Sequence, residues 1–176
     1  LYITNNSNPL ISNSSINDNE SQVGSGGGIY CTTSSLTLSN ITISDNIVPD
    51  YGGGIFFWNT SNPVLDNVTI NGNVAEFGGG ICFHSDSNPT LTDITISNNS
   101  STVNGGGVFI GGDVVINGAL IHNNEAAAGA GIYVQNSSEV VPDILNCTIV
   151  NNVVVDNDDR SGISASRGPI TNCIIW

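Results

Sequence analysis

The chain has 176 residues, a net charge of −13 and no lysine, with Arg160 and Arg167 as its only Lys or Arg side chains. Such a surface excludes nucleic-acid binding, whose affinity comes from Lys and Arg neutralising phosphate, and it is repelled by anionic membranes, so no direct membrane insertion is expected of this segment. High charge with low hydrophobicity would suggest disorder, but 39% of the residues are apolar and they fall in strict register.

The register is a repeat. Residues 1–11 match residues 55–65 position by position, so the chain opens inside a unit, after its glycines. Each unit carries an isoleucine, at Ile16, Ile43, Ile70, Ile96, Ile121, Ile149 and Ile175, in steps of 27, 27, 26, 25, 28 and 26 residues. Five residues earlier stands an aliphatic every time, from Ile11 and Leu38 to Ile170. Three residues later stands Asn19, Asn46, Asn73, Asn99, Asn124 or Asn152, without exception. Around the isoleucine, apolar residues alternate with Thr or Ser, which is the period of a strand. Gly, Asn, Ser and Pro fill the remainder and leave no room for a helix.

Short strands recurring at constant length stack as a solenoid whose core no single repeat can close. The expectation is an all-β, right-handed parallel β-helix with about 26 residues per coil and roughly seven coils. Each coil is expected to hold three strands, typified by 55–58, 64–65 and 68–70. The turn between the second and third carries Asn13, Asn40, Asn67, Asp93, Gly118, Asn146 or Asn172. A turn Asn can take left-handed geometry, and stacked amides can bond one another, so this row is expected to form an asparagine ladder.

Glycine triplets at 26–28, 52–54, 78–80 and 105–107 precede the first strand and mark a sharp corner. Without a following helix or a lysine they are not a phosphate cradle. Pro9, Pro63, Pro89 and Pro142 each open a second strand, where a missing N–H is tolerated. Extra residues around 135–141 and 153–160 read as loops on one side of the solenoid. The last residues, Ile174, Ile175 and Trp176, again fall mid-coil. The expectation is a single solenoid segment, 1–176, cut from a longer chain, with open ends that favour end-to-end self-association.

Gly-Gly-Gly-Ile followed by Ile-x-x-Asn, as in Ile43-Ser-Asp-Asn46, Ile70-Asn-Gly-Asn73 and Ile96-Ser-Asn-Asn99, resembles the repeat of the polymorphic outer-membrane protein family. It is similar more broadly to right-handed β-helix repeats of secreted bacterial proteins. The resemblance covers essentially the whole chain. It implies an extracellular or cell-surface adhesin or passenger domain, with a non-catalytic portion of a polysaccharide lyase or glycoside hydrolase as the alternative.

No catalytic residue is assigned. Asp18 and Asp45 share a position that later coils fill with Gly72, Asn98, Asn123 and Asn151, so they read as turn residues. His84 and His122 stand at different repeat positions, without zinc-ligand spacing. Asp156, Asp158 and Asp159 form an acidic run that could hold Ca²⁺, although it lacks the glycine and distant glutamate of a helix–loop–helix calcium site; no other cofactor is expected. Cys31 is expected inward and Cys82 outward, while Cys147 and Cys173 are expected to stack inward as free thiols.

The strongest binding candidate comes from side-chain alternation. Ile29, Ile55, Ile81, Val108 and Ile132 are aliphatic in every regular coil and must point inward. Their neighbours Tyr30, Phe56, Cys82, Phe109 and Tyr133 must then point outward, and two residues further on so must Trp58 and His84. Stacked coil on coil, Tyr30, Phe56, Trp58, His84, Phe109 and Tyr133 are expected to form an aromatic ridge that contacts a glycan or a protein surface.

Overall fold

The computed structural model describes residues 1–84, 87, 89–136, 140–155, 161–165 and 168–176. Every strand pairing is parallel. The described residues contain no helix, and so none long and apolar enough to cross a membrane. The repeat isoleucines pair one coil to the next, Ile16 with Ile43, Ile43 with Ile70, and so on to Ile149 with Ile175. The solenoid expected from the period is therefore the fold.

Two sheets of seven strands form its long faces. The first stacks Tyr2–Ile3, Ile29–Thr32, Ile55–Trp58, Ile81–Phe83, Val108–Ile110, Ile132–Val134 and Ile163–Ser164. The second stacks Leu10–Asn17, Thr37–Ser44, Val64–Asn71, Thr90–Ser97, Leu120–His122, Thr148–Val150 and Ile174–Ile175. In the first four coils the expected second and third strands are the two arms of one strand, bent where Asn13, Asn40, Asn67 and Asp93 drop out of the pairing register. Further along, the arms separate, and Val115–Asn117, Asp143–Leu145 and Ile170–Thr171 make a sheet of their own. A four-stranded sheet not expected from the repeat, Val74–Phe77, Ser100–Asn104, Glu125–Ala126 and Val153–Val154, closes the coil between the repeat asparagine and the glycine corner.

The left-handed turn geometry expected of Asn13, Asn40, Asn67, Asp93, Gly118, Asn146 and Asn172 holds at all seven, with φ between 50° and 77°. Their amides touch in places, Asn67 to Asn40 at 2.7 Å and Asn172 to Asn146 at 3.3 Å, but these side chains are exposed and the row is broken at Asp93 and Gly118. The continuous ladder runs instead through the other asparagine row. Each Nδ2 donates to the next Oδ1: Asn19 to Asn46 at 2.7 Å, Asn46 to Asn73 at 2.9 Å, Asn73 to Asn99 at 2.9 Å, Asn99 to Asn124 at 3.0 Å and Asn124 to Asn152 at 2.9 Å. That Oδ1 also accepts the backbone N–H of the preceding rung, while Nδ2 reaches back to the repeat isoleucine carbonyl one coil earlier, as from Asn99 to Ile70. From Asn46 to Asn152 these side chains are buried, and their polar atoms are satisfied by one another and by the backbone, as buried amides require.

The glycine corner fits around this ladder. Gly52 turns the chain at a φ of +65°, which a side chain would disfavour. A Cβ on Gly54 would sit 3.2 Å from the Asn73 amide nitrogen. The interior is an aliphatic column of Ile29, Ile55, Ile81, Val108 and Ile132 facing Ile43, Ile70, Ile96, Ile121 and Ile149, all buried. Phe57 and Phe83 stack within it, 5.2 Å apart and nearly parallel. Cys31 lies in this core and Cys82 outside it. All four cysteines are free thiols; Cys147 and Cys173 face each other one coil apart, the Cys147 N–H donating to Cys173 Sγ at 3.5 Å.

Candidate functional site

The outward residues of the first sheet collect the rings. Tyr30, Phe56, Cys82, Phe109 and Tyr133 occupy successive rungs of one register, and Tyr2 precedes them. They pack as a cluster separate from the main core. Tyr2 and Tyr30 stack at 5.0 Å, Tyr30 meets Phe56 edge-on at 5.2 Å, and Phe109 stacks on Tyr133 at 5.6 Å.

This row is not a bare ridge. Phe56 and Cys82 have no exposed surface and Phe109 keeps only 5%. The cover comes from the residues just before the glycine corner. Tyr51 stacks on Phe56 at 5.6 Å and on Phe77 at 5.0 Å, and Phe77 meets Phe109 edge-on at 5.6 Å. Phe56 and Phe109 are thus the floor of a second, external core, and half-buried Tyr30 and Tyr133 flank them. Burial pushes the Cys82 thiol well above its ordinary pKa. It also raises Tyr30, with the neighbouring Tyr2 adding to the effect. Tyr51 is raised by burial first, then by the Cys82 thiol and the Glu76 and Asp50 carboxylates.

Trp58 and His84 stand where the cover ends. They stack face to face, with centroids 5.0 Å apart and planes 12° apart. Phe56 meets both edge-on, Trp58 at 5.6 Å and His84 at 6.0 Å, and Tyr51 meets His84 edge-on at 5.3 Å. Trp58 retains 38% of its surface, the most of the six candidate residues. On the side of the indole away from His84, the residue in register is Thr32, with no ring. Its hydroxyl lies 3.4 Å from that of Thr33, whose φ of 51° turns the chain there. The result is a part-exposed indole with two threonines next to it, backed by the fully buried Phe56 ring.

The family described as a right handed beta helix region matches residues 1–78 and 27–176, which together span the chain. The chain belongs to that family. No curated protein and no solved structure matches it.

In this β-helix the other candidates separate from the ring cluster. Asp18 and Asp45 adopt left-handed turn geometry, as do Gly72, Asn98, Asn123 and Asn151 at the same position in later coils, which is turn chemistry. Asp156, Asp158 and Asp159 lie outside the described residues, as do Arg160 and Arg167. Among the described residues no three His, Cys, Asp or Glu side chains group as a metal would need. Sequence reasoning missed Tyr51 and Phe77. Their position precedes the glycine corner, and later coils fill it with Asn104 and Ala128, so an aromatic there in two coils was the available signal. What the β-helix offers chemically is a rigid apolar ring face with hydroxyl donors and acceptors beside it.

Proposed function

We propose that this β-helix is an extracellular, cell-surface adhesive element and that it contacts a glycan at Trp58. The observation that carries the reading is the stacked Trp58–His84 pair, part-exposed against the fully buried Phe56. A pyranose ring has one apolar C–H face and a rim of hydroxyls. The part-exposed indole suits the first, and Thr32 and Thr33 suit the second. Buried Phe56 behind the pair fixes the ring orientation, so little freedom is lost on binding. The lysine-free, Asn-, Ser- and Thr-rich composition and the resemblance to polymorphic outer-membrane repeats support a cell-surface location.

The test is Trp58→Ala and His84→Ala on a glycan array and in whole-cell adhesion, with the β signal in circular dichroism as the folding control. Trp58→Ala is expected to lower glycan affinity about tenfold or more, the order of one lost aromatic stack. Adhesion that depends on Trp58 with no glycan bound would instead indicate a protein partner. Binding and adhesion both unchanged in a folded Trp58→Ala protein would make the ring pair purely structural.

A further inference from the structure

The outward register that holds Trp58 and His84 continues past them. The His84 N–H donates to Phe57 O at 3.1 Å, the Gly111 N–H to Phe83 O at 2.7 Å and the Gln135 N–H to Ile110 O at 2.8 Å, so Trp58, His84, Gly111 and Gln135 stand on successive coils. Among the described residues the imidazole is stacked on Trp58, 5.0 Å away, while Phe56 and Tyr51 meet it edge-on. The coil on its other side carries Gly111, which has no side chain. His84 and Gln135 are therefore separated by two coil spacings, roughly 9–10 Å. A flat group held in van der Waals contact on both faces needs about 7–8 Å. The interval is a notch one flat group thick. Gln135 leans into it, because a Cβ on Gly111 would sit 3.1 Å from Gln135 Oε1. Gln135 is exposed and His84 and Gly111 are half-buried, so the notch opens to solvent.

We infer that the notch between His84 and Gln135 is a second sugar subsite, that it takes an acetamido group, and that Gln135 is its specificity-determining residue. This rests on the glycan reading of Trp58. An acetamido group is flat, carries a methyl at one end, and has an amide that donates and accepts. Its flat face and methyl pack on the imidazole, and its amide pairs with the Gln135 carboxamide, which also donates and accepts. A hydroxyl at the same place is too small to fill the notch and forfeits the ring contact. A carboxylate has the right shape but offers no donor, and the chain's net charge of −13 opposes it. The first subsite, where Trp58 adjoins Thr32, lies three coils from Gly111, about 14 Å along the axis. One oligosaccharide running along the solenoid over the edges of the ring pair fills both subsites, and a disaccharide is too short to do so.

The experiment is titration calorimetry of the whole chain with β-1,4-linked tetrasaccharides of N-acetylglucosamine and of glucose, which share a backbone and differ in the acetamido group, and with the N-acetylglucosamine disaccharide. The N-acetylated tetrasaccharide is expected to bind about fivefold tighter than the glucose tetrasaccharide, the order of one net hydrogen bond with a small apolar contact. It should also bind tighter than its own disaccharide. Gln135→Ala, at an exposed position and with circular dichroism as the folding control, should bring the two tetrasaccharides to the same affinity. Trp58→Ala should weaken both. Equal binding of the two tetrasaccharides by the unaltered chain, or a preference that survives Gln135→Ala, overturns the second subsite; if binding still depends on Trp58, the reading of that residue stands. Failure of every oligomer to bind overturns both readings.

Discussion

Asn99→Ala puts a number on the ladder. The side chain is 1% exposed and makes four hydrogen bonds. Its Oδ1 accepts from Asn73 N–H at 3.0 Å and from Asn73 Nδ2 at 2.9 Å; its Nδ2 donates to Ile70 O and to Asn124 Oδ1, both at 3.0 Å. Two of these partners keep other bonds: Asn73 Nδ2 still donates to Ile43 O, and Asn124 Oδ1 still accepts from Asn99 N–H. The Asn73 N–H and the Ile70 carbonyl lose their side-chain partner in a dry interior. With about 1 kcal/mol for each lost bond and about 1–3 kcal/mol for a buried group left unpaired, partly relieved by relaxation, the expected loss is about 3–5 kcal/mol. The control is Asn67→Gly in the exposed turn row. It keeps the left-handed φ of 50° and removes only the bond to Asn40, so it should cost less than about 1 kcal/mol. Urea unfolding followed by circular dichroism gives both values. A third variant, Asn99→Asp, replaces the donor with an oxygen facing Ile70 O and Asn124 Oδ1. Its carboxyl has a folded pKa raised by burial, so its penalty should be smallest below about pH 4 and grow as pH rises past the unfolded value. Equal losses at Asn99 and Asn67, or a pH-independent Asn99→Asp, would refute the view that the buried row carries the stability.

Gly53→Ala would place a Cβ 2.5 Å from the Gly79 carbonyl oxygen and 2.7 Å from Val74 N and O, all backbone, so it should cost about 3 kcal/mol or block folding. Gly118→Ala has φ +77° but nothing within 4 Å, and should cost only about 1–2 kcal/mol in a thermal melt. Iodoacetamide should alkylate part-exposed Cys173 first and Cys82 only on unfolding, and mass spectrometry without reductant should show no Cys147–Cys173 bridge; a bridged peptide would refute the free-thiol stack. The first coil leaves Tyr2 and Leu10 exposed beside an open cavity of about 450 Å³, and the last coil leaves Ile174 and Trp176 exposed. The chain on its own should therefore associate end to end with rising concentration, and a monomer at all concentrations in light scattering would count against this.

The period made the fold legible, because a repeat isoleucine every 25–28 residues with alternating neighbours admits a parallel stack and little else. The ladder was legible too: the turn row bonds in part, Asn67 to Asn40 and Asn172 to Asn146, while the continuous buried ladder runs through the second asparagine row. Both rows are asparagine, and their tolerance separates them. The turn row accepts Asp93 and Gly118, which share with Asn only an ease of positive φ. The row from Asn19 to Asn152 accepts nothing else, because each side chain must donate and accept at once, and only an amide of that length does both. At the candidate site, alternation correctly sent Phe56 and Phe109 outward from the main core, but direction is not exposure. Their cover comes from Tyr51 and Phe77, about one corner away in the coil, at a position whose residue type changes from repeat to repeat. The four-stranded sheet has no repeat signature for the same reason. Val74–Phe77, Ser100–Asn104 and Glu125–Ala126 share a path but not a pattern.

The ladder also bears on how such a chain can change length. Each rung meets its neighbours through the same atoms, so a rung does not register which coil it belongs to. Excising residues 73 to 98 would bring Asn99 to the place Asn73 now holds, with Asn46 donating to its Oδ1 and the Ile43 carbonyl receiving its Nδ2. Duplicating the same stretch would add a coil on identical terms. Gains and losses of whole units are therefore nearly invisible to the interior, and a length change of a residue or two is taken up within one coil, as the ladder bonds spanning 25 to 28 residues show. Recombination between copies of the repeat would lengthen or shorten the rod in coil-sized increments, moving whatever sits on the outer face by one coil at a time.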